Sequence, residues 1–305
     1  MSHYTLRQLE CFVSVAEEGS INAAATRMFS SASAISSSVT SLEDALDTQL
    51  LVRRKAHGVT LTPSGRFVLT KARRLLQEAA EMERDASSAG EDLRGAVTVG
   101  CYATLAPSLL GRLIHEYTTR YPLVDVSFVH GAQPQLLTEL HAGKVDLLFS
   151  YDLQIGPELH HRTLYKAHAN VVCSPEHPLA QAEELTLALL AQHPMIMLDM
   201  APSRENTLRL FSRLNLTPRV RFRTSDFELT RSLVGRNLGW AILVQTPSHP
   251  VTFEGLPLMV RPLPEDVDGV SVTVAWPSQS RLSRAGTAMV QLAEELFGQE
   301  TPVPH

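Results

Sequence analysis

The chain has 305 residues, 44% of them hydrophobic and 19% charged, with a formal net charge of -5. That is room for two or three folded domains of ordinary soluble composition, and it excludes a chain that holds a polyanion by bulk positive charge. Three scattered cysteines, Cys11, Cys101 and Cys173, exclude a disulfide scaffold and suit a reducing cytoplasm. The start MSHYTLRQLE has no signal-peptide core, and no apolar run approaches the ~20 residues of a membrane span. A cytoplasmic protein with no membrane partner is expected.

The first sixty residues read as three short helices and a hairpin. Leu6, Leu9, Val13 and Ala16 mark the first helix, which Gly19 stops. Ser20 caps the second, INAAATRM, with Ile21, Ala24, Ala25 and Met28 as a narrow apolar stripe. The turn FSS leads into SSASAISSSVTSLEDAL, which by composition alone is a serine-rich linker. Its apolar residues Ile35, Val39, Leu42 and Leu46 nevertheless keep one helical face, and a disordered linker has no reason to keep that period. Three helices with a tight turn before the third make a helix-turn-helix. In LLVRRKAHGVTLT, Leu50 and Leu51 anchor a strand, Arg53, Arg54 and Lys55 cluster, Gly58 turns, and Val59 and Leu61 alternate along the return strand. This is a β-wing.

LRQLECFVSVAEEGSINAAATRM, followed by LEDAL, Arg53 and GVTLTPSG, resembles the winged helix-turn-helix of LysR-type transcriptional regulators. The resemblance implies a sequence-specific, ligand-responsive DNA-binding protein, not an enzyme. Its partners would be double-stranded promoter DNA, a small-molecule effector, a second copy in a homodimer or homotetramer, and RNA polymerase. It makes the serine helix the recognition helix. Where the family carries Gln, Pro and a basic or amide residue, this chain has Ala32, Ser33, Ser37 and Ser38, and Asp47 stands where a Gly is usual. Small hydroxyl groups can sit close to bases or phosphates but are not bidentate readers. The candidate DNA contacts are Ser31, Ser33, Ser36 and Ser37 on the helix and Arg53, Arg54 and Lys55 on the wing. Residues 1–62 hold five basic side chains against six acidic ones, with three of the five in the wing. The wing and DNA shape are therefore expected to carry much of the binding.

Thr62 and Pro63 start a helix in which Val68, Ala72, Leu75, Ala79, Met82, Ala86 and Ala89 recur at heptad spacing. A twin helix can pack on that seam. From residue 93 strands and helices alternate, as in α/β units with parallel strands. This part resembles the two-lobed, periplasmic-binding-protein-like effector domain of the same family. The expected architecture is an α/β chain with an N-terminal all-α winged helix-turn-helix (1–62), a linker or dimerisation helix (63–92) and a two-lobed effector domain. Lobe I is 93–163 with 266–300, lobe II is 164–265, and two crossing strands form the hinge.

Ligands in such sheets sit beyond the carboxyl ends of strands, where helix N-termini point and favour anions. That selects Tyr102, Thr104, Gly131, Asp199, Ser203, Arg204, Ser225 and Phe227 around a small organic effector, with an organic acid as the natural guess. No cofactor is expected. Ser225 with Glu228 also fits a capping box, and Arg204 is placed to pair with Asp199 or Glu205. His160, His161, His168 and His177 match no compact zinc spacing. The competing readings are a solute-binding module without DNA activity and an enzyme; the helix-turn-helix opposes the first, and no G-x-S-x-G or Gly-rich phosphate loop supports the second.

Overall fold

The computed structural model describes residues 3–54, 58–87, 93–245, 250–263 and 269–298. They form two compact units, Met1–Gly95 with His141–Val145, and Ala96–Leu140 with Asp146–His305.

In the first unit, α1 (Leu6–Glu18) starts on a reciprocal cap. Thr5 Oγ1 accepts from the Gln8 amide, and Gln8 Oε1 accepts from the Thr5 amide at 2.8 Å. Gly19, at φ 62°, ends it. Ser20 caps α2 (Ile21–Arg27) and Ser31 caps α3 (Ala32–Ala45). The serine-rich run is thus a helix, with Ile35, Val39 and Leu42 fully buried. The stripe of α1 is rotated from the expected one: Leu9, Phe12 and Val15 are its core residues, Val13 and Ala16 are half-buried, and Leu6 is exposed. The reason is packing against two neighbours, α3 and the long helix described next, which widens the buried face. Ala24 and Ala25 are buried in the same core, where their small side chains allow close approach.

Asp47 takes the left-handed conformation, φ 47°, that the usual Gly would take. This turn brings the chain under α3, and one carboxylate oxygen holds it there. Glu43 Oε1 accepts from the backbone amides of Leu50 (2.7 Å) and Leu51 (2.9 Å). Strands β1 (Leu51–Arg54) and β2 (Gly58–Leu61) pair antiparallel, Leu51 opposite Leu61, and form the wing. Thr62 Oγ1 accepts from the Gly65 amide at 2.8 Å and opens α4 (Pro63–Ser87). A Cβ on Gly65 would lie 2.1 Å from the Leu50 carbonyl oxygen, so only glycine permits this approach. The α4 seam divides. Ala72 is buried and Val68 packs on the unit's own core, whereas Leu75 and Met82 are exposed. Ala89 lies outside the described residues, as do 88–92 of the expected linker helix.

In the second unit the first lobe holds β3 (Gly95–Tyr102), a π turn at Ala106–Leu110 leading into α5 (Gly111–Arg120), β4 (Val124–Gly131), α6 (Gln133–His141), β5 (Leu147–Tyr151) and β6 (Leu159–Ala167). The second lobe holds β7 (Asn170–Cys173), α7 (Leu187–Gln192), β8 (Met195–Leu198), α8 (Ser203–Ser212), β9 (Val220–Thr224), α9 (Phe227–Gly235), β10 (Ala241–Leu243) and β11 (Met259–Pro262). The chain then returns through β12 (Val270–Pro277) to the first lobe and ends with α10 (Arg284–Phe297). The first sheet has the order β4-β3-β5-β12-β6, and the second lobe contains β10-β7-β11 and the pair β8-β9. Met195 bridges to Trp240, whose carbonyl accepts from the Ile196 amide at 2.7 Å.

The sheets are mixed rather than parallel throughout. β3–β5 and β8–β9 are parallel as expected, but β12 runs antiparallel to β5 and β6, and β7 antiparallel to β10 and β11. The cause is the double passage between lobes, since the returning chain enters each sheet in the opposite sense. The strand β6, which runs across the 163/164 boundary expected from sequence, pairs with β12 along its length to Ala167. Strand alternation splits the second lobe's core in two. Val171, Cys173, Met195 and Met197 lie in one cluster, and Val172, Ile196 and Leu198 in the other. Both faces of these strands are covered, which is why they read as continuous apolar runs.

Replacing Glu43 with Ala should destabilise the first unit by about 2–3 kcal/mol, since two amides lose a charged acceptor. Hydrogen exchange at Leu50 and Leu51 in the full-length protein checks this. Protection equal to that of the wild type would show that the carboxylate does not anchor the wing.

Candidate functional site

Two regions carry the predicted residues, one in each unit. On α3 the buried stripe fixes which side chains face outward. Ser33 and Ser37 are exposed on the opposite face, Ser31 is exposed at the N-cap, and Ser36 is half-buried. Ser31 Oγ accepts from the Ala34 amide at 3.2 Å and lies 3.0 Å from Ser33 Oγ. The helix contains no Lys, Arg, Gln or Asn. The arginines of the preceding helices are held by carboxylates: Arg7 by Glu10 at 2.8 Å, and Arg27 by Glu17 and Glu18 at 2.9 and 3.1 Å. Arg53 and Arg54 belong to β1 of the wing. Lys55 lies outside the described residues.

In the second unit, Tyr102 ends β3, Thr104 follows it, and Ser203 opens α8 across the gap between lobes. The Tyr102 hydroxyl and Ser203 Oγ are 2.8 Å apart. Burial pushes the Tyr102 phenol above its ordinary pKa, and the bond to Ser203 partly offsets this. Thr104, itself buried, lies with Oγ1 3.3 Å from the Tyr151 hydroxyl. Tyr151 stands edge-on to Tyr102 with ring centroids 5.5 Å apart, and its phenol is pushed up by complete burial. Thr104, Tyr151, Ser203, Asn206, Phe227 and Gln245 line one cleft, which apolar groups including Leu153, Leu198 and Ile242 complete. Ser108 Oγ donates to Gln245 Oε1 at 3.1 Å.

The cleft brings Thr104, Ser203 and Phe227 together, with the buried Tyr102 bonded to Ser203 behind them, but not the other four candidates. Gly131 serves the backbone, its carbonyl accepting from the Ala103 amide at 3.0 Å. Asp199 and Glu205 both hold Arg204, the former at 2.8 Å. The bond to Asp199, followed by that to Glu205, raises the guanidinium's pKa. Arg204 is therefore a paired cation and not a free anion donor. Ser225 is exposed and does not cap α9. Asp226 does, its Oδ1 accepting from the Leu229 amide at 2.6 Å, while Glu228 pairs with the buried Arg231. The capping box read at Ser225 and Glu228 is thus one residue out of register.

Sequence reasoning missed Tyr151, Gln245, Asn206 and Gln133. The rule that selected the ends of β3 and β8, applied to β5 and β10, would have found Tyr151 and Gln245. Gln133 is almost fully buried beside the cleft, bonded to Ser150 and the Leu153 carbonyl. Cys101 and Cys173 are buried thiols whose pKa values burial pushes up to about 12 and about 11. Among the described residues no group of His, Cys, Asp and Glu is placed to hold a metal, and no helix is long and apolar enough to cross a membrane.

Comparison with known proteins agrees with both regions. Residues 6–66 match the bacterial regulatory helix-turn-helix protein, lysR family, and residues 90–298 match the LysR substrate binding domain. The uncharacterized HTH-type transcriptional regulator YvbU of Bacillus subtilis is 27% identical over 300 residues, 97% of this chain and all of that one. The C-terminal domain of a probable LysR family regulator from Rhodococcus sp. RHA1 is 38% identical, with a TM-score of 0.64, over 66% of this chain and 99% of that domain. PA01, a putative LysR family regulator from Pseudomonas aeruginosa, is 31% identical, with a TM-score of 0.63, over 97% of this chain and 100% of its own. The chain belongs to the LysR family of transcriptional regulators, a DNA-binding helix-turn-helix followed by an effector-binding domain, and is not an enzyme.

Proposed function

We propose that a small organic acid, bound between the two lobes of the effector domain, changes how paired copies of this regulator sit on promoter DNA. The observation that supports this most is the convergence of neutral donors from both lobes, Thr104 on one side and Ser203 and Asn206 on the other, on a cleft walled by Phe227. The first turn of α8 faces this cleft, and helix N-terminal amides favour a carboxylate. Arg204 is already paired, so the acid is held by hydroxyls and amides rather than by a free cation. We further propose a homodimer joined along α4 and assembled into a tetramer, acting in the cytoplasm and signalling to RNA polymerase. No cofactor enters this reading.

The ligand is tested with small carboxylates, benzoate and salicylate among them, by calorimetry. Thr104→Val keeps the shape and removes a hydroxyl, and should weaken an acid that binds by about 1–3 kcal/mol. Arg204→Ala should weaken it less. Equal affinity of Thr104→Val and wild type would move the ligand elsewhere.

Assembly is tested at Leu75, which is exposed on the α4 seam. Leu75→Asp puts a charge where a twin helix packs. Light scattering of full-length protein should report a lower mass than for wild type; an unchanged mass would remove α4 from the assembly.

Affinity for DNA is tested by titration against salt. Arg53→Ala should lower the salt slope by about one unit per lost phosphate contact. Ser37→Glu should weaken binding to every sequence, because it brings bulk and negative charge to the phosphates. Wild-type binding by Ser37→Glu, with loss in Arg53→Ala, would take α3 out of the groove.

A further inference from the structure

Phe29 lies in the turn between α2 and α3 with 98% of its surface exposed. No large apolar side chain among the described residues is more exposed. Its backbone is left-handed, at φ 51°. Among the described residues the other non-glycine residues in that conformation are Asp47, Gln154, Asn215 and Asn237. Each of those is polar, and Asn and Asp are the side chains that tolerate the conformation best. Phenylalanine has no such compensation, and at this exposure it gains nothing from packing.

The turn itself is well made. The Met28 amide donates to the Ala24 carbonyl at 2.9 Å, Phe29 to Thr26 at 3.3 Å and Ser30 to Ala25 at 2.9 Å. All three bonds are backbone to backbone and would form with Asn or Gly at position 29, without the steric cost. So neither the turn nor the core of the domain calls for this ring, and its use lies outside the folded unit.

Its position indicates what it touches. Phe29 precedes by two residues the N-cap Ser31 of α3, beside the exposed Ser33. In a helix-turn-helix the N-terminal residues of the recognition helix meet the base edges. Here that helix has hydroxyls and alanines and no bidentate reader. An apolar side chain reads DNA through the thymine methyl group or packs on the neighbouring deoxyribose, and neither needs charge.

We infer that Phe29 is a DNA contact: its ring packs against the thymine methyl or deoxyribose surface at the groove edge met by the N-terminus of α3. This rests on the reading of α3 as the recognition helix. A thymine methyl contact adds sequence preference to a helix without bidentate readers, and a deoxyribose contact adds affinity alone.

The test uses full-length protein and a duplex selected by the wild type from a random library. Phe29→Asn suits the left-handed turn, so the domain should fold at least as well, which circular dichroism and melting check. Its affinity should fall about tenfold or more, the effect of losing a buried aromatic ring, with an unchanged salt slope, since no charge is altered. Phe29→Leu should lose less. Replacing a contacted thymine with uracil should cost the wild type about fourfold per methyl and cost Phe29→Asn nothing. If instead Phe29→Asn weakens all sequences alike and uracil has no effect, the contact is with deoxyribose, and the inference stands. Wild-type affinity in Phe29→Asn overturns it. So does a weaker Phe29→Asn whose mass by light scattering has changed, because the ring then serves a protein contact. Ser37→Glu separates this from the reading of α3. Loss in Ser37→Glu with none in Phe29→Asn leaves α3 in the groove and overturns the contact at Phe29; the reverse takes α3 out of the groove and overturns the placement of the ring at its N-terminus.

Discussion

The cleft depends on the passage of the chain from one lobe of the effector domain to the other. The chain leaves the first sheet along β6, where Ala167 faces Val270, and enters the second along β7, where Asn170 faces Pro262. Between the two ladders the Leu263 amide donates to the Ala169 carbonyl at 3.3 Å. Only His168 and Ala169 separate the two ladders along the outgoing chain, so the strand ends that carry the cleft are tethered close together. Groups on facing strand ends, such as Thr104 and Ser203, therefore meet at a fixed place.

The DNA-binding unit shows a second constraint, the internal pairing of its charges. Glu17 of α1 receives Arg27 from α2 at 2.9 Å and Arg73 from α4 at 3.1 Å. The Arg73 side chain is mostly buried, so this ion pair is screened less by solvent than the exposed Arg7–Glu10 pair. Cations that in a more basic domain would face phosphate are instead used to join helices. The recognition helix is left with a surface defined by shape and hydroxyl groups.

Much of this was legible in the sequence where one strong signal acts alone. The period of Ile35, Val39 and Leu42 outweighed the serine content because a helix buries one face whatever its other faces carry. Asp47 could be placed in a left-handed turn because few residues accept one. Legibility failed where two neighbours compete for one element. The α1 stripe shifted to Phe12 and Val15 because both α3 and α4 press on it. β6 went unseen because its histidines and arginine are mostly exposed and keep no alternation. At α9 the sequence offered Ser225 as the cap, and the carboxylate of Asp226, one residue on, took the position. In the cleft, Thr104 and Phe227 followed from strand ends, and Tyr151 and Gln245 sit at the ends of β5 and β10, to which the same rule extends. For Arg204 the sequence offered Asp199 and Glu205 as partners beside the ligand reading, and both carboxylates hold it.

The contact between Tyr102 and Ser203 spans the gap with one neutral hydroxyl pair. It is joined across the gap by the bond from Ser108 to Gln245 and by the Gln133 amide donating to the Ala201 carbonyl, and each such neutral bond contributes about 1 kcal/mol net. These contacts carry no formal charge, so the two sides of the cleft are joined by bonds of the kind that a neutral hydroxyl or amide exchanges at little cost.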